Sequence, residues 1–102
     1  MASGTIKKSS LYYEGVISNF DSNNSEWTAP QDGFVVIKAN QVLNGMCYVY
    51  LFSNQIVRAS IVCKDGTGGL TYTACTPVMK NVKYTLVMGG YTEASVFFYS
   101  LH

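Results

Sequence analysis

Charge is what this chain lacks most. Lys, Arg, Asp and Glu make up 13% of its 102 residues, about half the usual share, while apolar residues reach 48%. A small domain has much surface for little interior, so a surface this poor in charge is expected to be covered in part by another chain. A sticky monomeric β-domain is the plainer alternative. The net charge is +1, and the seven basic residues form no run beyond Lys7-Lys8. Nucleic-acid binding needs clustered cations to displace counterions, and no such cluster is present. Long apolar runs are missing too. The longest, Met46 to Phe52, has seven residues, far too few to span a bilayer as a helix. Residues 1–5 lack the apolar core of a signal peptide, so synthesis in a cytosol, or excision from a longer chain, is expected.

The chemistry-bearing side chains are equally sparse. There is one histidine, His102, expected to be frayed at the chain end, so neither a zinc site nor a Ser-His-Asp or Cys-His arrangement is expected. Cys47, Cys63 and Cys75 are odd in number and lack CxxC spacing. They read as reduced, structural side chains, although Cys47 and Cys63 could bridge if their strands pair. Glu14, Asp21, Glu26, Asp32, Asp65 and Glu93 are scattered, mostly in predicted turns, and show no carboxylate pair on one strand face. Asp65-Gly66-Thr67-Gly68-Gly69 has no following Lys-Ser/Thr or helix and reads as a hairpin tip rather than a phosphate loop. Asp21-Ser22-Asn23-Asn24 lacks the spaced acids of a calcium loop and reads as a solvated turn. No enzyme, metal or cofactor is expected.

What is present is a period of two. Residues 1–10 read as a flexible lead, and 11–102 as a single β-domain. Leu11 to Ile17 and Glu26 to Thr28 are short strands, separated by the polar turn segment Ser18 to Ser25. Pro30 to Gly33 turns the chain into the strand Gly33 to Asn40, with Val35, Ile37 and Ala39 on one face. Met46 to Phe52 and Gln55 to Cys63 predict a hairpin about Ser53-Asn54 or Asn54-Gln55. That register puts Tyr48, Tyr50 and Phe52 on one side with Val57, Ala59 and Ile61. Lys64 to Gly69 reads as a loop, Leu70 to Thr76 as a strand, and Pro77 to Asn81 as a turn. Val82 to Met88 is a strand ended by Gly89-Gly90, and Thr92 to Leu101 is the last. No window has helical spacing. The pattern predicts an antiparallel β-sandwich, jelly-roll in type.

The last strand is apolar on both faces: Val96 and Phe98 on one, Phe97, Tyr99 and Leu101 on the other. One face is expected on the core and the other on a neighbouring copy, making Phe97, Tyr99 and Leu101 a subunit interface. Among the tyrosines, Tyr48, Tyr50, Tyr84 and Tyr99 read as core or interface residues, and Trp27 as a packing anchor. Tyr72 and Tyr91 lie beside glycine-containing segments and could stack on a sugar. Receptor contacts are therefore expected over Lys64 to Thr73 and Gly89 to Thr92, with Lys64, Asp65, Tyr72, Tyr91 and Thr92 as candidates.

The stretch Trp27-Thr28-Ala29-Pro30-Gln31-Asp32-Gly33-Phe34-Val35-Val36 resembles the small C-terminal head domains of bacteriophage tail fibres and receptor-binding proteins. These commonly read T-A-P-x-D-G-[aromatic/aliphatic]-V at this point. Tyr48-Val49-Tyr50-Leu51, Ile56-Val57-Arg58-Ala59-Ser60, Thr76-Pro77-Val78-Met79-Lys80 and Ala94-Ser95-Val96-Phe97-Phe98-Tyr99 extend the resemblance in order over about residues 27–101. Asn81 departs from it, standing where a glycine is usual, and the tyrosine-bearing stretch before Trp27 has no counterpart. The resemblance implies a trimeric jelly roll similar to complement-type and tumour-necrosis-factor-type domains. It implies a place at the fibre tip of a virion, made in the host cytoplasm, and a bacterial surface glycan or protein as partner, without nucleic acid or membrane insertion. The alternative is a trimerisation or capping module, or a stand-alone bacterial jelly roll, with no receptor.

Overall fold

The computed structural model describes residues 10–41, 45–66, 69–90 and 92–102. The expected lead over residues 1–10 lies, but for Ser10, outside them. Eight strands follow in order: β1 Leu11–Val16, β2 Ser25–Thr28, β3 Gly33–Gln41, β4 Gly45–Ser53, β5 Ile56–Gly66, β6 Thr71–Val78, β7 Lys83–Gly90 and β8 Thr92–Leu101. They form two four-stranded antiparallel sheets, β1-β8-β3-β6 and β2-β7-β4-β5, which face each other as a β-sandwich. Only the β4–β5 hairpin stays within one sheet; every other connection changes sheet. No helix occurs among the described residues.

Strict alternation builds the core. Val35, Ile37 and Ala39 of β3 and Val96 and Phe98 of β8 point inward from one sheet; Val49 and Leu51 of β4 and Tyr84 and Leu86 of β7 meet them from the other. Ile37, Leu51 and Leu86 are fully buried, and each contributes about 1.5–3 kcal/mol relative to an exposed side chain. Trp27 is the packing anchor its position implied. Its ring lies 5.1 Å from Phe98, 5.9 Å from Phe20 and 6.0 Å from Tyr84. The surprise is Phe20, in the segment that reads as polar loop yet fully buried in this aromatic cluster.

Several expected boundaries move. β5 runs on to Gly66, so Lys64 and Asp65 belong to a strand rather than a loop. β6 runs through Pro77 to Val78, and β7 through Gly89 to Gly90. Proline is tolerated there because β6 is an edge strand, with β3 as its one neighbour in the sheet. The hairpin turns on Asn54-Gln55, with φ of 50° and 64° and Ser53 paired to Ile56. Two positive φ values are the mark of a type I′ turn. The register opposes Leu51 to Ala59 and Val49 to Ile61, so Ala59 and Ile61 face the core, away from Tyr48 and Tyr50. A bulge between Leu51 and Phe52 keeps Val57 opposite Phe52.

Candidate binding site

Two outward sheet faces and one cleft carry unusual side chains. On β2-β7-β4-β5, alternation sends Tyr48, Tyr50 and Phe52 outward in a row, with ring centroids 5.8 and 6.1 Å apart. Tyr48 reaches across to β7 and lies over Gly89; a Cβ at that glycine would run into the Tyr48 hydroxyl end. Tyr50 stands between Ser60 and Val87, and Phe52 between Val57 and Thr85.

Beyond Phe52 the row opens into a cleft of about 520 Å3, formed where the β4–β5 turn faces the β6–β7 turn. Its walls carry three amides, Asn54, Gln55 and Asn81, together with Thr85 and Lys83. All three amide residues are exposed and have positive φ, 50°, 64° and 69°. Lys83 is not a loose cation: its Nζ lies 3.0 Å from Glu26 Oε2, across the β2–β7 pair. A smaller hollow of about 280 Å3 adjoins the same turns, where Arg58 Nε donates to Ser53 Oγ at 2.7 Å.

The outward face of β1-β8-β3-β6 is of another kind. Tyr13 stacks on Phe97 at 6.4 Å and leans on Tyr99 at 5.1 Å. With Val36, Lys38 and Thr73 these rings line a shallow groove of about 380 Å3. Phe97, Tyr99 and Leu101 are half-buried on this face, while their alternates Val96, Phe98 and Ser100 are buried. In β1, an edge strand, Leu11, Tyr12, Tyr13 and Val16 are each more than half exposed.

Of the residues singled out as receptor contacts, those that are described lie in strands rather than in loops. Lys64 and Asp65 lie in β5, and Tyr91 lies outside the described residues. Thr92 opens β8, its Oγ1 donating to Gly89 O at 2.7 Å. Tyr72 lies on the inward side of β6, packed against the core, where its hydroxyl and Cys63 Sγ share a hydrogen bond of 3.2 Å. That bond, then burial, then the neighbouring Cys63 and Cys47 thiols push the Tyr72 phenol above its ordinary range. Cys47 and Cys63 do pair directly in register, yet all three cysteines are free, and Cys75 is exposed on the outside of β6.

No family model matches the chain, and no curated protein does. Two solved chains match it. One is the Clostridium thermocellum N-terminal endo-1,4-beta-D-xylanase 10B, its CBM22-1–GH10 modules complexed with xylohexaose, at 8% identity and a TM-score of 0.46. The match covers 91% of this chain but 24% of that one, so this chain spans about a quarter of its length. At that level the likeness carries no ligand across.

One constellation of catalytic residue types does assemble. Ser100 Oγ donates to Glu14 Oε1 at 2.6 Å and lies 2.9 Å from His102 Nε2. Its order differs from a nucleophilic triad, in which imidazole stands between hydroxyl and acid. Here the hydroxyl stands between the other two. Its single proton goes to the carboxylate, so Nε2–H donates to Oγ and cannot take a proton from it. The trio fastens β1 to the end of β8. His102 is not frayed: its backbone pairs with Ser10 at 2.9 Å in both directions, and its ring meets Tyr12 edge-on at 4.9 Å. The turn Asp21 to Asn24 is likewise used structurally, with Asn23 Oδ1 accepting from Met88 N at 3.0 Å.

The amide cleft is what sequence reasoning missed. Its signal was in plain view: Gln55 and Asn81 are turn residues at left-handed positions where glycine is usual, and each has an amide instead.

Proposed function

We propose that this chain is a non-enzymatic, homotrimeric recognition domain of the kind found at the tips of phage tail fibres, presented on the virion surface and binding a bacterial surface glycan or protein. The observation that carries the reading is the apolar outward side of β1-β8-β3-β6. On that side of β1, Leu11, Tyr13 and Val16 are large, apolar or aromatic and more than half exposed. They adjoin Phe34, Phe97 and Tyr99 on the same sheet. An edge strand of this composition invites pairing or packing by another chain. Three copies associating there would cover Tyr13, Phe97, Tyr99 and Leu101 and leave the opposite sheet free.

The strand order supports the jelly-roll class. Sheets ordered β1-β8-β3-β6 and β2-β7-β4-β5 arise when an eight-stranded chain folds as two Greek keys, with almost every connection crossing between sheets. Such a frame presents turns at both ends and sheet faces between them, which suits binding. Trimerisation would add avidity to a weak single site without new contacts.

Sedimentation velocity at micromolar concentration, paired with adsorption of the purified protein to bacterial cells, tests the reading. A trimer that adsorbs to some strains and not others is expected. A monomer that adsorbs to none would overturn it. A trimer without adsorption would favour the capping-module alternative.

A further inference from the structure

We infer that the cleft between the β4–β5 and β6–β7 turns is a saccharide-binding site, with an uncharged sugar as its ligand, Phe52 as the stacking surface and the amides of Gln55 and Asn81 as the groups that read its hydroxyls. The inference rests on the recognition reading above and deepens it by naming the site and the ligand class.

The first observation is the composition of the cleft. A pyranose offers an apolar C–H face and a rim of hydroxyls, each both donor and acceptor. Phe52 supplies the apolar plane, and a side-chain amide supplies donor and acceptor side by side. None of the side-chain amides of Asn54, Gln55 and Asn81 is hydrogen-bonded to another described residue, so their capacity is available to a ligand.

The second observation is charge. Lys83 is paired with Glu26, so the described walls carry no unbalanced charge. A phosphorylated or carboxylated sugar would find no free cation there, whereas a neutral one loses nothing. The third is the backbone. Gln55 and Asn81 both hold left-handed conformations. Glycine fits such positions at no steric cost, Asn tolerates them, and Gln is poorly suited. A turn selected for stability alone would read Asn-Gly. The chain instead has Gln55 at a left-handed position that disfavours it and Asn81 at one where glycine is usual, and the fold brings both amides to one cleft. Tyr50 and Tyr48 continue the apolar surface along β4, giving a longer oligosaccharide further rings 6.1 and then 5.8 Å on.

The test uses this backbone preference. The Gln55→Gly/Asn81→Gly double variant removes the proposed reading groups while relieving strain, so it should fold and melt at or above the parent temperature. Asn19→Gly makes the same kind of change at a left-handed position outside the cleft, φ 60°, and serves as the matched control. Each protein is applied to an array of defined neutral and anionic bacterial surface oligosaccharides, and the best-bound one is titrated by calorimetry. Cell adsorption and sedimentation are measured in parallel. Expected are binding of a neutral oligosaccharide by the parent, at least tenfold weaker binding by the double variant, unchanged binding by Asn19→Gly, and one oligomeric state throughout. Equal affinity of parent and double variant would overturn the site and leave the recognition reading standing. Binding of anionic sugars alone, or adsorption to cells with no sugar bound, would overturn the ligand class. A parent that neither binds the array nor adsorbs to cells would overturn this inference together with the reading beneath it.

Discussion

Gly33 opens β3 where that strand runs against β8. A Cβ built there would collide with the carbonyl oxygen of Tyr99, a backbone atom that cannot move without disturbing the pairing. Gly33→Ala is therefore expected to destabilise the protein by about 1–3 kcal/mol, the range of an overpacked interior site, measurable as a lowered urea midpoint with an unchanged slope. The opposite sign is expected at Gln55. Its left-handed backbone disfavours a side chain by about 1–2 kcal/mol, so Gln55→Gly alone should raise stability by about 1 kcal/mol in the same measurement. The two residues share a lesson. Glycine at Gly33 is required by what lies beside it in space, and its absence at Gln55 is a local penalty visible from the turn itself.

The β4–β5 hairpin was legible because its information is local. Two β-rich runs flank a two-residue turn, and that turn's geometry fixes the register within one or two positions. Even so, the bulge beside Phe52 decided which residues of β5 face inward, and alternation counted from the turn alone put Ala59 and Ile61 on the wrong side. The β1–β2 segment shows the limit more sharply. Asn19, Asp21, Asn23 and Asn24 announce a solvated loop, yet Phe20 among them closes one part of the core against Trp27. A single apolar residue has no periodicity, so no pattern could mark it as buried. Phe20→Ala should cost about 3–5 kcal/mol, as for a large buried aromatic, with loss of near-ultraviolet circular dichroism from Trp27 preceding loss of strand signal on heating.

For the whole molecule, the outward face of β1-β8-β3-β6 is the one the proposed trimer would cover. Tyr99 points away from the core, so Tyr99→Asp leaves the interior intact. In the proposed trimer the same carboxylate would be buried without a partner, at a cost of several kcal/mol per copy. The expected outcome is a monomer that keeps its β-sheet spectrum and loses avidity for cells. A variant that remains trimeric would place the interface elsewhere, and one that fails to fold would make Tyr99 part of the core.

The sequence by itself determined the β-rich segments, the inward and outward alternation of β3, β7 and β8, and the presence of a β4–β5 hairpin, because each depends on residues within a few positions of one another, and its composition fixed the shortage of ionisable groups. It also held the amides of the candidate site, in turns that favour glycine. Only the tertiary structure decided that β8 lies between β1 and β3, that Ser100 meets Glu14 from 86 residues away, and that Gln55 and Asn81 line one cleft. These juxtapositions follow from non-local strand pairing, which depends on how all eight strands share one core rather than on any segment's own preference.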